Sequence, residues 1–121
     1  MTKSWETLKE KYPGLLEHIW PECGIGWYDL LDKLCADITE CEAKEPILIS
    51  EYEDEVLYCH ANQVKEKYGG LRFYVSSATE EMYKIIDAAE KKSYSICDVC
   101  GESGSLRRGG WMMVRCDGCV K

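Results

Sequence analysis

Eight cysteines in a chain of 121 residues are the main source of chemistry in this sequence. Four of them form two matched pairs, Cys97-Asp98-Val99-Cys100 and Cys116-Asp117-Gly118-Cys119, separated by the pattern C-x2-C-x15-C-x2-C. Two residues between cysteines allow a tight turn that points both sulfurs at one ion, and a second such pair completes a four-thiolate metal knuckle. Gly101 and Gly118 remove side-chain bulk where each turn bends. Four sulfurs fill a tetrahedron and leave no position for a reactive water, so the pattern predicts one structural Zn2+ and not a hydrolytic metal. A rubredoxin-like iron site uses the same ligation, and two disulfides or four free thiols are the metal-free alternatives.

The other candidates for chemistry are weaker. Cys35 and Cys41 border the apolar face of a helical stretch and read as small buried hydrophobes. Cys23, Cys59, His18 and His60 show no ligand spacing. There is no G-x-S-x-G, no H-E-x-x-H and no phosphate-binding glycine loop, so no catalytic residue is assigned.

Composition narrows the function classes. A net charge of -7 opposes bulk attraction to nucleic acid or an anionic membrane. The acidic excess lies before the cysteine cluster. The mild basic surplus around the cluster is a counter-charge to its own thiolates. No apolar stretch is long enough for a signal peptide or a membrane span, which leads to the expectation of a cytoplasmic protein whose thiols stay reduced.

The elements that must position the cluster follow from periodicity. Ser4 is an N-cap, Pro13-Gly14 ends the first short helix, and Pro21 ends a second piece, Leu15 to Trp20. Trp5, Leu8, Leu15, Leu16, Ile19 and Trp20 are expected to cover part of the core. After Gly24-Ile25-Gly26, the residues Trp27, Leu30, Leu31, Leu34, Ile38 and Cys41 recur at helical spacing and form one face. Ile47-Leu48-Ile49 suggests a short strand, and Glu51-Tyr52-Glu53-Asp54-Glu55 a solvated loop. Val56 to Tyr68 and Leu71 to Ser77 read as strands joined at Gly69-Gly70. Thr79 then caps a helix that buries Met82, Ile85, Ile86 and Ala89. The expected fold is α+β: a small antiparallel hairpin packed with helices over residues 1–95, and a four-cysteine zinc ribbon over 96–121, packed as one unit.

With Gly69-Gly70 as the turn, Tyr68 faces Leu71, Glu66 faces Phe73 and Val64 faces Val75 on a buried side. Lys65, Lys67, Arg72 and Tyr74 share the other side. Three cations without an acid between them suggest an anion, an acidic partner or this chain's own acidic loop as counterpart; the alternative is a solvated face that guards a sheet edge. Gly26-Trp27-Tyr28-Asp29-Leu30-Leu31, the block Val64-Lys65-Glu66-Lys67-Tyr68-Gly69-Gly70-Leu71-Arg72-Phe73-Tyr74, Ala89-Glu90 before Ser93, and Gly110-Trp111 ahead of the last cysteine pair together resemble a group of small bacterial and phage proteins. The resemblance runs from about residue 24 to residue 121, and residues 1–23 lie outside it. It implies a metal ribbon and a bacterial or phage origin, and carries no activity with it.

Three functions remain in play. The first is a zinc-binding, non-catalytic protein that binds another protein, in a phage setting by blocking a host factor. The second is nucleic-acid binding through Arg107, Arg108, Arg115, Trp111 and the hairpin face. The third is an enzyme whose small-anion site, with acid–base capacity, is formed by Lys65, Arg72, Tyr74 and His60, although no reaction is specified; capture of a nucleotide-sized ligand there without turnover joins this reading to the first.

Overall fold

The computed structural model describes residues 3–45, 47–48 and 56–120, and among them three helices are followed by two two-stranded antiparallel sheets, a fourth helix and a third such sheet. The fold is α+β, as expected. Ser4 caps α1 (Trp5–Lys11) through a reciprocal pair of hydrogen bonds with Thr7. Pro13 is the first residue of α2 (Pro13–Leu16), so Pro13-Gly14 opens the second helix, which does not extend to Trp20. Trp5, Leu8, Leu15, Leu16 and Ile19 are buried. Trp20 is not: it is 52% exposed, with the Lys9 ammonium over its ring, because the chain leaves the helix before the periodicity reaches it.

A short 3-10 turn, Ile25–Trp27, leads into α3 (Tyr28–Lys44). Its expected face is buried through Trp27, Leu30, Leu31, Leu34 and Ile38; Cys35 joins them, and Cys41 packs at the margin. Strand β1 (Ile47–Leu48) pairs with β2 (Val56–Leu57). Ile49 and the acidic run Glu51 to Glu55 lie outside the described residues. The single strand expected from Val56 to Tyr68 is interrupted at Tyr58-Cys59, and β3 (His60–Lys67) begins after it.

Strands β3 and β4 (Gly70–Ser76) form the central hairpin, and its turn is Tyr68-Gly69, not Gly69-Gly70. Both turn residues have positive φ, 52° for Tyr68 and 91° for Gly69, the requirement of a type I′ connection. Gly70 belongs to the strand for a tertiary reason: the Tyr94 ring lies directly on it, and a β carbon there would overlap the ring. Glu66 therefore pairs with Leu71 and Val64 with Phe73, each partner two residues earlier than expected. Because side chains alternate with a period of two, this shift leaves the strand residues on their expected faces. Val64, Leu71 and Phe73 are buried. Tyr68, expected with them, is instead lifted out by the turn and 68% exposed.

Each outer edge of this hairpin is capped. On the β3 side, Glu22 adds one parallel rung, its N–H donating to the Val64 carbonyl at 2.8 Å and its carbonyl accepting from Glu66 N–H at 3.1 Å. On the β4 side, Ser93 Oγ accepts the Leu71 N–H at 3.0 Å and Glu90 Oε2 accepts the Phe73 N–H at 2.9 Å. Glu90 and Ser93 lie on and just after α4 (Glu80–Lys92), which Thr79 caps by accepting the Met82 N–H. Met82, Ile86 and Ala89 close the core from this helix, with Ile85 half-buried at its border.

Candidate metal centre

The last hairpin, β5 (Ser105–Arg107) and β6 (Met113–Arg115), holds the two cysteine turns against each other, with Leu106 opposite Val114. In the first turn, Gly101 N–H returns to the Cys97 carbonyl at 3.0 Å, and Cys97 N–H donates to the Glu102 carbonyl at 2.8 Å. In the second, Cys119 N–H donates to the Cys116 carbonyl at 3.1 Å. Asp98 N–H reaches across to the Val114 carbonyl at 3.0 Å and ties the first turn to β6. Gly101 takes φ 84°, as its place in the turn predicts, whereas Gly118 has no positive φ and a β carbon there would only touch the Cys116 sulfur at 3.9 Å.

The four sulfurs of Cys97, Cys100, Cys116 and Cys119 lie within 4.8 Å of one another, and those of Cys100 and Cys116 are 3.6 Å apart. A tetrahedral ion with Zn–S bonds of about 2.3 Å sets its sulfurs about 3.8 Å apart, so the cage fits such an ion after small adjustments. Among the described residues this is the one cluster of His, Cys, Asp or Glu that could hold a metal. Burial pushes the Cys97 thiol up, but backbone hydrogen bonds from Cys100, Cys116 and Val99 outweigh it and bring the thiol down to about 6. The Cys119 thiol, hydrogen-bonded first to Cys116, then affected by burial and its other sulfur neighbours, is pushed up to about 12. Cys100 is raised as well, so without a cation the cage as a group holds on to protons. Four converging sulfurs ionise together only around a positive charge.

Each turn is also braced by an arginine. The Asp98 carboxylate, almost fully buried, faces Arg115 Nε in an ion pair whose N–H is not aligned for a hydrogen bond. Asp117 accepts from Arg107 Nη2 at 2.9 Å, and Arg107 also donates to the Arg115 carbonyl. The repeated Cys-Asp-x-Cys, set against two arginines on the intervening strands, is the sequence signal for these braces.

The ribbon is clamped to the rest of the chain at two places. Gly24 and Gly26 lie so close to the first turn that a β carbon on either would overlap the carbonyl of Asp98 or Cys97, and Gly26 N–H donates to the Asp98 carbonyl at 2.9 Å. Trp27, with no accessible surface, donates its indole N–H to the Ile96 carbonyl at 2.9 Å, one residue before the first ligand. At the other end, Gly69 of the β3–β4 turn sits against Leu106 and Met113 of the ribbon. In the sequence Gly24-Ile25-Gly26 reads only as the approach to a helix; a Gly-x-Gly directly before a tryptophan of the apolar face is the available hint of close backbone contact.

No family model, curated protein or solved structure matches the chain.

Of the hairpin-face residues, Lys65 stands opposite Arg72, Tyr74 opposite Gln63, and Lys67 at the end of the strand beside Gly70. Arg72 is half-buried, donating to the Leu71 carbonyl at 2.9 Å and the Tyr94 hydroxyl at 3.4 Å. Lys67 is exposed, its ammonium over the Tyr68 ring. His60 stacks edge-on with His18 at the far end of β3 from the turn. Cys35 and Cys59 are in the core and Cys23 and Cys41 against it; burial pushes Cys23 up to about 12 and Cys59 up to about 11, which makes both poor nucleophiles. No helix among the described residues is long and apolar enough to cross a membrane.

Proposed function

We propose that this chain is a non-catalytic interaction protein whose ribbon holds one structural Zn2+ through Cys97, Cys100, Cys116 and Cys119. The observation that carries the proposal is the closed donor set, four sulfurs within 4.8 Å of one another, which saturates a tetrahedral ion and leaves no site for substrate or water. The clamps at Gly24, Gly26 and Gly69 give that ion a mechanical role, fixing the ribbon to α3 and to the hairpin turn. Another protein is the favoured partner over nucleic acid. Arg107 and Arg115, two of the cations a nucleic acid would use, are engaged by Asp117 and Asp98, and the chain as a whole is acidic. The Lys65–Tyr74 block supports kinship with small bacterial and phage proteins, in which setting the partner is a host factor in the cytoplasm.

Native mass spectrometry of tagged protein, purified gently from a bacterial host, tests metal and partner together. The expected result is a mass excess of one zinc per chain with a discrete protein attached. A red, iron-loaded protein would replace zinc with a rubredoxin-like centre. Co-purified nucleic acid or a small anion would overturn the protein-partner reading.

A further inference from the structure

Helices α3 and α4 lie antiparallel, with Asp29 and Lys92 sharing one end of the groove between them and Lys44 and Glu81 the other. The wider part of this groove, about 460 Å³, has an apolar floor: Leu30 and Leu34 from α3, Ile85, Ala88 and Ala89 from α4, and Ile96 beyond it. Ala88 is exposed and Ile85 half-buried, so α4 offers solvent an apolar strip whose alanines let a second backbone come close. On the α3 rim the charges are matched within the chain, Asp29 by Lys3 at 2.9 Å and Asp37 by Lys33 at 3.0 Å, and that rim selects no partner by charge.

The α4 rim is different. Glu81, Ile85, Ala88 and Lys92 stand on one line of the helix at spacings of four, three and four, the rhythm of a helix-pairing seam. Glu81 and Lys92 are exposed at its two ends, and among the described residues neither has an ion-pair partner, whereas the adjacent Lys91 is held by Asp87 at 2.8 Å. The order of the four residues selects the occupant. When two copies of a helix pack antiparallel about a two-fold axis, a contact from one residue to a second is repeated from the second to the first. An axis level with the midpoint of Ile86 and Asp87 sets Glu81 opposite Lys92 of the second copy and Ile85 opposite its Ala88. A bulky side chain then meets a small one and an acid meets a base, each twice. A parallel pair would instead set Glu81 against Glu81 and Lys92 against Lys92. An unrelated helix would match this strip only by chance, whereas a second copy matches it by symmetry.

We propose that the exposed face of α4, with the groove beside it, is a self-association surface through which two copies of this chain pair antiparallel by Glu81, Ile85, Ala88 and Lys92. The seam spans about three turns of helix, so the dimer is weak and reversible, and salt weakens it further by screening its end pairs. The surface uses no metal ligand and no hairpin residue, so it stands or falls apart from the interaction reading above.

Sedimentation velocity of the full chain, over a concentration series reaching the millimolar range at low salt, reads the association. The natural chain should pass from monomer to dimer. Glu81→Lys alone or Lys92→Glu alone should weaken the dimer about tenfold or more, because either change sets like charges opposite each other twice. An equimolar mixture of the two variants should recover it: one chain then carries lysine at both seam ends and the other glutamate at both, so every facing pair is again opposite in sign. Both positions are exposed, and circular dichroism should show the fold of each variant unchanged. A natural chain that stays monomeric at millimolar concentration would overturn the proposal and leave the groove to a helix of another protein. Association that the single variants leave intact, or a mixture as weak as its components, would overturn it too, since the copies would then meet elsewhere.

Discussion

Gly26 sets the tolerance of the four-cysteine cage, because its missing side chain is where the Cys97 and Asp98 backbone lies. Gly26→Ala should destabilise the loaded protein by about 1–3 kcal/mol through overpacking and lower its zinc affinity, measured by thermal unfolding and competition with a chromogenic chelator. Ser93 has a comparable role in the hairpin. Its hydroxyl satisfies the buried Leu71 N–H, so Ser93→Ala should cost about 1–3 kcal/mol for an unpaired donor, read from denaturant midpoints. The protonation of the cage has a measurable sign. The neighbouring sulfurs push Cys119 up in the metal-free cage and Cys100 is raised with it, so loading must expel protons from the four-thiol group. Zinc affinity should therefore rise with pH, and adding zinc to apoprotein in weak buffer should acidify the solution.

At the scale of elements, the hairpin turn and the packing of α1 on α3 make separate predictions. Tyr68→Gly should raise stability slightly by relieving the left-handed backbone, by less than about 1 kcal/mol because glycine also loosens the unfolded chain. Asp32 on α3 is partly desolvated, which raises its pKa, but hydrogen bonds from Lys11 and Tyr12 outweigh this and hold its carboxyl below the usual value. A lowered folded pKa contributes stability that is present above the unfolded value and lost as pH falls through the folded one. Asp32→Asn should therefore lose less stability than the natural chain on acidification below about pH 4, checked by urea titration across that range. The same elements show what a sequence can reveal. The buried faces of α3 and α4 were legible because Leu30, Leu31, Leu34 and Met82, Ile86, Ala89 repeat with the helix. The four ligands were legible because their spacing is local. The turn was misplaced by one residue because Tyr94, far along the chain, requires Gly70 in the strand, and nothing local marks Tyr68 as left-handed. The clamps were invisible for the same reason: Gly24 and Gly26 meet partners in a distant turn.

For the molecule as a whole, the ribbon is coupled to the rest of the chain by Gly24, Gly26, Trp27 and Gly69, so metal loss should not be confined to the knuckle. Chelation is expected to lower the melting temperature and broaden the transition, while added zinc raises it with concentration, as a ligand specific to the folded state must. Scanning calorimetry with and without chelator checks this; an unchanged main transition would show a ribbon that unfolds alone. The hydrogen bond from Trp27 to Ile96 gives the molecule a built-in optical gauge. Trp20 and Trp111 face water and should emit at long wavelength, whereas buried Trp5 and the wholly dry Trp27 should supply the blue edge of the spectrum. The Trp27 indole proton is fixed to the carbonyl just ahead of Cys97, so the Trp27 share of that blue emission, isolated by a Trp5→Phe variant, should follow the state of the first knuckle without any added dye.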